Sequence, residues 1–232
     1  MVLVVRHGLT AATGAALAGR TPGIALDDRG RAQAAAVASR LADVRLDAIV
    51  SSPIQRCVET AEAVAAARQP PGLPVQTDDR LMECGYGDWT GQPLRRLARD
   101  PLWRVVQEHP SAVTFPGADG ERIADVQQRA VAAVRDWNAR LGKQAVYLIC
   151  SHADVIKAIL ADSLGLHLDL YQRILIDPCS LSVIRYTPLR PFVERLNDTG
   201  ASVQALIRAD KAPAGAAALR PGDAPVGGGA GG

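Results

Sequence analysis

Three short stretches set chemistry-bearing side chains directly behind an apolar run. "VLVVRHG" carries Arg6 and His7, "DAIVSSPIQR" carries Ser51, Ser52 and Arg56, and "VYLICSH" carries Ser151 and His152. Apolar, β-branched runs of this kind suit strands buried on both faces of a parallel sheet, and open α/β sheets bind ligands beyond the carboxyl ends of their strands. Two imidazoles and two guanidiniums gathered there, near helix N-termini, form a cationic pocket suited to a phosphoryl group. A neutral imidazole, with an ordinary pKa of about 6.5, keeps a lone pair near pH 7 and can attack phosphorus without an activating base. Its other nitrogen must then hold its proton on an acceptor, and the turn at Gly8, free to bend tightly without a Cβ, offers a backbone carbonyl.

Other uses of the same residues are weaker. His7 as a plain core histidine conflicts with Arg6 beside it, because a buried guanidinium without an anion is costly. Arg56, in the first turn of a helix, opposes the helix dipole unless an anion sits nearby. A metal site built from His7, His152 and a carboxylate is disfavoured by the two guanidiniums, which repel a divalent cation. Neither a metal nor a cofactor is therefore expected. Cys179 and Arg185 match C-x5-R, the spacing of thiolate phosphatases, but "SLSVIRY" alternates like a strand and lacks the glycine of an anion-cradling loop. His109 and His167 have no comparable setting and receive no role.

The elements that must position these groups alternate between strand and helix. Strands are expected at "MVLVV", "LDAIVSS" and "QAVYLICS". Helices are expected over Arg29–Ala42, behind Asp27 and Asp28, and over Ser52–Ala67, where Ser52, Pro53 and Gln55 resemble a capping box with proline at the first helical position. The clearest helix runs from Arg122 to Leu141, with Ile123, Val126, Ala130, Val134, Trp137 and Leu141 on one face, and another covers "DVIKAILADSLG". Such alternation predicts an α/β fold, a three-layer sandwich around a mostly parallel sheet.

The 232 residues, 48% hydrophobic and 22% charged, fit one ordinary globular domain, taken as residues 1–208. With 26 basic against 24 acidic residues, the net charge of +2 gives no reason to expect nucleic acid or an anionic membrane as partner, so a positive site must be local. No apolar run approaches the roughly 20 residues of a membrane span, and a cytoplasmic protein is expected. The four cysteines are widely spaced and read as reduced thiols. Residues 209–232, rich in Ala, Gly and Pro, are expected to be disordered. Their last six residues match G-x-G-x-x-G, but no strand precedes them and no helix follows, so the dinucleotide-binding reading fails.

Taken in order, "VVRHGLT", "SSPIQRCVETA", "RLMECGYGDWTG" and "SHADVIKAIL" resemble the histidine phosphatase superfamily, also called the phosphoglycerate mutase-like proteins, from about Met1 to Ile184. The resemblance implies that His7 is the nucleophile, that Arg6, Arg56 and His152 hold the phosphoryl oxygens, and that Glu83 donates the proton. It also implies the three-layer fold with a mixed sheet. Glu83 suits that role only if burial lifts its pKa from about 4.3 toward 6 or 7. Thr13 stands where the family often has asparagine and, with the backbone of Gly14, is expected as a weaker phosphoryl contact; Tyr86 stands where it often has phenylalanine.

The expected activity is hydrolysis of a small-molecule phosphomonoester. A phosphoglycerate mutase is the first alternative, disfavoured because the segment from Glu83 to His152 looks short for the substrate-closing insertion that mutases usually carry. A phosphate-binding regulatory module without turnover is the second; a proton donor at Glu83 would be of no use to it. Arg95, Arg96, Arg99 and Arg104 could reach a second anionic group of a substrate, against the competing role of a solvated helix with Leu94, Leu97 and Leu102 inward. Substrate identity and oligomeric state are not encoded in these motifs.

Overall fold

A computed structural model describes residues 1–68, 72–202 and 222–230. The chain opens with β1 (Val2–Arg6), buried along its whole length. Helix α1 (Asp28–Leu41) follows, capped by Asp27, whose carboxylate accepts from the Gly30 N–H. Strand β2 (Ala48–Ser51) leads into α2 (Gln55–Ala66). This helix starts three residues later than the Ser52-Pro53-Gln55 pattern predicts, and Ile54 precedes it without a side-chain cap. The Ser52 hydroxyl instead accepts from the Ile54 N–H, two residues on, in a turn that excludes the helical start.

A short strand β3 (Val75–Thr77) comes next. The run "QPLRRLARDPLWR" is two helices, α3 (Leu94–Leu97) and α4 (Pro101–Glu108), rather than one. Pro101 cannot continue the first helix, and Asp100 caps the second by accepting from the Leu102 N–H at 2.9 Å. Helix α5 (Ile123–Leu141) matches the expected element and buries the expected face, from Ile123 through Val126, Ala130 and Val134 to Trp137. Strand β4 (Tyr147–Ser151), helix α6 (Ala153–Leu164), β5 (Leu181–Tyr186) and β6 (Pro191–Asp198) complete the described elements.

The sheet order is β3-β2-β4-β1-β5-β6. The first four strands are parallel; β5 runs antiparallel to β1, and β6 antiparallel to β5. This is the mostly parallel sheet between helical layers that the alternation predicted, with the mixed character that the resemblance implied. Side chains of successive strand residues point to opposite faces. Val2 and Val4 therefore join the core beneath α5 and α6, while Leu3 and Val5 pack against α1 and α2. Each fully buried Val or Leu contributes about 1.5–3 kcal/mol relative to exposure.

The C-terminal stretch is described only in part. Residues 209–221, 231 and 232 lie outside the described residues, but 222–230 lie against the domain without forming helix or strand, with Val226 1% exposed in the core that also holds Val4. Among the described residues no helix is long and apolar enough to cross a membrane.

Candidate active site

The site lies at the carboxyl ends of β2, β4 and β1, three neighbours in the sheet. Register pairs Arg6 with Ser151 and Ser51 with Cys150, so the polar residues just past each strand emerge side by side. One further ladder bond, from the His7 N–H to the Ser151 carbonyl at 3.0 Å, carries β1 one residue beyond its end. Alternation then aims Arg6 to the α6 side of the sheet and His7 to the α2 side.

The turn after His7 is held by two glycines. A Cβ on Gly8 would lie 2.6 Å from the Gly30 carbonyl oxygen, and one on Gly30 would lie 2.0 Å from that of Leu9. Only bare backbone lets α1 approach this closely. The Thr60 hydroxyl accepts the Gly8 N–H at 3.1 Å, tying the turn to α2 as well.

His7 sets its Nδ1 2.8 Å from the Gly8 carbonyl, while its Nε2 is 3.1 Å from Arg56 Nε. A carbonyl only accepts and a guanidinium only donates, so the network assigns the proton to Nδ1 and the lone pair to Nε2. Burial first, then the charges of Arg56 and Arg6, holds the His7 pKa well below the usual 6.5. The ring is neutral at pH 7.

Arg56 Nη2 donates to the Gly19 carbonyl at 2.8 Å and to His152 Nδ1 at 3.1 Å. By the same reasoning His152 carries its proton on Nε2, which sits 2.9 Å from the Ser52 hydroxyl. Its pKa is also held well below 6.5, by burial and then by Arg56. Arg6 Nη1 donates to the Ile176 and Gly229 carbonyls, both at 2.8 Å. Among the described residues, Arg6 Nε and Arg56 Nη1 are buried without a hydrogen-bond partner. Two guanidiniums, each 1% exposed, with donors left over and no carboxylate among the described residues in an ion pair with either, are costly unless an anion joins them.

Glu83 supplies the carboxyl of the pocket. Its Oε1 accepts from the Cys84 N–H at 3.0 Å, and its Oε2 lies 3.8 Å from His152 Nδ1. Burial and the nearby Asp154 raise its pKa to about 7, with Arg56 and Arg6 acting in the opposite sense. A group with that pKa gives and takes a proton near neutrality.

Arg6, His7, Arg56, Glu83, Thr13 and Gly14 line one cavity. His152 is fully buried behind it and reaches the cluster through Arg56 and Glu83. Thr13 lines the cavity beside Gly14. Its hydroxyl accepts from the Thr10 N–H at 3.1 Å and bonds the Thr10 hydroxyl at 2.9 Å, so it braces the loop. Arg95, Arg96, Arg99 and Arg104 do not line the cavity.

Several contributors carried no motif of their own. The Glu83 carbonyl accepts from Arg20 Nε at 2.8 Å and from Arg129 Nη2 at 3.1 Å, and both arginines pair with Glu121, at 2.7 and 3.0 Å. This clamp fixes the backbone that carries the carboxyl, and its members lie some 40 to 60 positions away from Glu83 in the chain. Tyr86 lines the cavity and donates its hydroxyl to Asp154 at 2.8 Å. The thiolate reading of Cys179 finds no support: burial pushes its thiol up to about 12, and Arg185 pairs with Glu194 on β6. All four cysteines are free and buried.

The sequence model of the histidine phosphatase superfamily, branch 1, matches residues 2–199. The chain belongs to that superfamily. This histidine phosphatase is 32% identical over 177 residues to phosphoserine phosphatase 1 of Hydrogenobacter thermophilus, covering 75% of this chain and 81% of that one. It is 33% identical over 177 residues to glucosyl-3-phosphoglycerate phosphatase of Mycolicibacterium vanbaalenii, covering 72% and 76%. A mycobacterial glucosyl-3-phosphoglycerate phosphatase solved with VO3 superposes with a TM-score of 0.74 at 26% identity, covering 85% of this chain and 98% of that one. These likenesses place the chain with phosphomonoester hydrolases.

Proposed function

We propose that this enzyme hydrolyses a small phosphorylated metabolite through a phosphohistidine formed at Nε2 of His7. The observation that carries the reading is the pair of contacts on that ring: Nδ1 bonded to the Gly8 carbonyl and Nε2 facing Arg56, which together set the lone pair toward the cationic pocket. In the first step His7 Nε2 forms a bond to phosphorus while the ester P–O bond breaks. The ring gains positive charge, which the Gly8 carbonyl stabilises through the Nδ1 proton. Arg56 turns its Nε from His7 to a phosphoryl oxygen, and the unpartnered Arg6 Nε and Arg56 Nη1 meet the charge that spreads over the equatorial oxygens. A monoanionic substrate passes its proton to His152 Nδ1, and the imidazolium then donates to a phosphoryl oxygen while its Nε2–H stays bonded to the Ser52 hydroxyl.

Glu83 gives its proton to the departing alkoxide. As a carboxylate it then takes a proton from the attacking water, which breaks the P–N bond and releases inorganic phosphate. Burial makes both halves possible, since a carboxyl with a pKa of about 7 is populated in either form at neutrality. No step requires a metal, and the two guanidiniums oppose one. The relatives named for phosphoserine and glucosyl-3-phosphoglycerate support a substrate of metabolite size. Four free cysteines favour a reducing compartment, the cytoplasm.

The test is a panel of phosphomonoesters assayed for inorganic phosphate with and without EDTA, beside His7→Ala. The expected outcome is release of free phosphate, insensitive to chelator and abolished in the variant. Isomerised phosphoglycerate without free phosphate, or chelator-sensitive turnover, would contradict the reading.

A further inference from the structure

The phosphate pocket is closed by the chain's own C-terminal segment. Arg6 donates from Nη1 to the Gly229 carbonyl at 2.8 Å and lies 3.5 Å, through Nη2, from that of Gly227. On the other side the Gly227 N–H donates to Asp154 Oδ2 at 3.1 Å. The segment thus puts carbonyl oxygens on the guanidinium that the proposed function gives to phosphoryl oxygens. Val226, Gly227 and Gly228 are part of the wall of the cavity that Arg6, His7 and Arg56 line.

The sequence of the segment matches this seat. Gly227 and Gly228 have φ of +71° and +80°, a region that side-chain-bearing residues avoid. A Cβ on Gly228 would stand 2.5 Å from the Ala153 Cβ and 2.7 Å from Arg6 Cζ, and one on Gly227 2.8 Å from Leu17 Cδ1. Only glycine brings backbone so close to the guanidinium. Upstream, Asp223 latches the segment to α4, accepting from Trp103 Nε1 at 2.9 Å and Arg104 Nη1 at 2.8 Å, while Ala224 exchanges both backbone bonds with the Gln107 side chain. Between latch and pocket, Val226 is buried in the core. Downstream, Ala230 packs beside Gly14.

We propose that residues 222–230 are an intramolecular ligand of the phosphate pocket, competing with the phosphoryl group for Arg6 so that substrate enters only when the segment leaves. The inference rests on the assignment of that pocket to phosphate. A ligand that binds only the open form has its apparent affinity reduced by the open fraction, so a segment seated nine-tenths of the time weakens binding about tenfold.

The test uses the full-length chain carrying Gly227→Ala and Gly228→Ala, which keeps the domain and unseats the segment. Inorganic phosphate binding is measured by calorimetry, and KM and kcat are measured on a phosphomonoester. Expected are phosphate binding at least about threefold tighter, KM lowered by a similar factor and kcat retained; a synthetic peptide of residues 222–232 should inhibit the variant competitively. Asp223→Ala, which removes the contacts to Trp103 and Arg104, should shift both constants the same way by less. Equal phosphate affinity in wild type and both variants overturns the inference while leaving the pocket assignment standing. Loss of kcat in a folded variant that still binds phosphate overturns it too, by making the segment part of the working site. No phosphate binding in any of the proteins removes the pocket assignment and this inference together.

Discussion

Replacing Glu83 by glutamine isolates the proton. The amide keeps the size of the carboxyl and an oxygen to accept the Cys84 N–H, so the buried backbone stays paired. What it removes is a group whose pKa burial and Asp154 have lifted to about 7. General acid catalysis is worth about 10²–10⁴-fold, or about 2.7–5.5 kcal/mol at 1.36 kcal/mol per tenfold. On an alkyl phosphate, whose leaving alkoxide is strongly basic, Glu83→Gln should lose that full factor in kcat/KM. On an aryl phosphate with a weakly basic leaving group the first step suffers less, while hydrolysis of the phosphoenzyme still lacks its base. The expected trace is a burst of phenol equal to the enzyme, then slow turnover. The wild-type profile of kcat/KM should fall as pH rises through about 7, because the acid form of Glu83 is lost, and that limb should vanish in the variant. Retention of kcat/KM within about threefold on an alkyl phosphate, or an unchanged alkaline limb, would refute the reasoning.

Arg56→Ala removes the donor shared by His7, Gly19 and His152. A loss of about 10²–10³-fold in kcat is expected, with little rescue by Arg56→Lys, since one ammonium cannot span three acceptors held by a planar fork. The His7 pKa, depressed in part by Arg56, should rise, and the acid limb of kcat/KM should move upward in steady-state profiles. Acid should also weaken the fold. Below about pH 6.5 the unfolded chain protonates His7 and His152 while the folded chain resists, which costs about 1.4 kcal/mol per histidine per pH unit. Glu83 works in reverse between about 7 and 4.5 and offsets one of the two histidines, so the expected net is a loss of stability as pH falls, read from urea unfolding of the ligand-free protein between pH 6.5 and 5; rising stability over that range would contradict it.

The parts of the site legible in the sequence are those that follow a strand. Arg6–His7, Ser51–Ser52 and Ser151–His152 sit behind apolar runs, and parallel register alone brings their ends together. Even the acceptor for His7 Nδ1 was predictable, because it belongs to the next residue. Local chemistry misled where a side chain had a better distant partner. Ser52 looked like a helix cap, but its hydroxyl serves the Ile54 turn and His152. The Arg20–Glu121–Arg129 clamp on Glu83 joins separated segments and has no local signature. The edge strands β3 and β6 are only partly buried, so their periodicity carried little. Composition read the tail as uniformly disordered, although its glycines are the residues that fit against Arg6.

The most direct test of the central claim is to trap the covalent species. The enzyme is mixed with a phosphomonoester labelled on phosphorus, quenched in alkali to preserve phosphohistidine, digested and mapped by mass spectrometry. Label on Nε2 of His7, absent from His7→Ala, is the predicted result. Label on another residue, or full turnover by His7→Ala, would contradict the account.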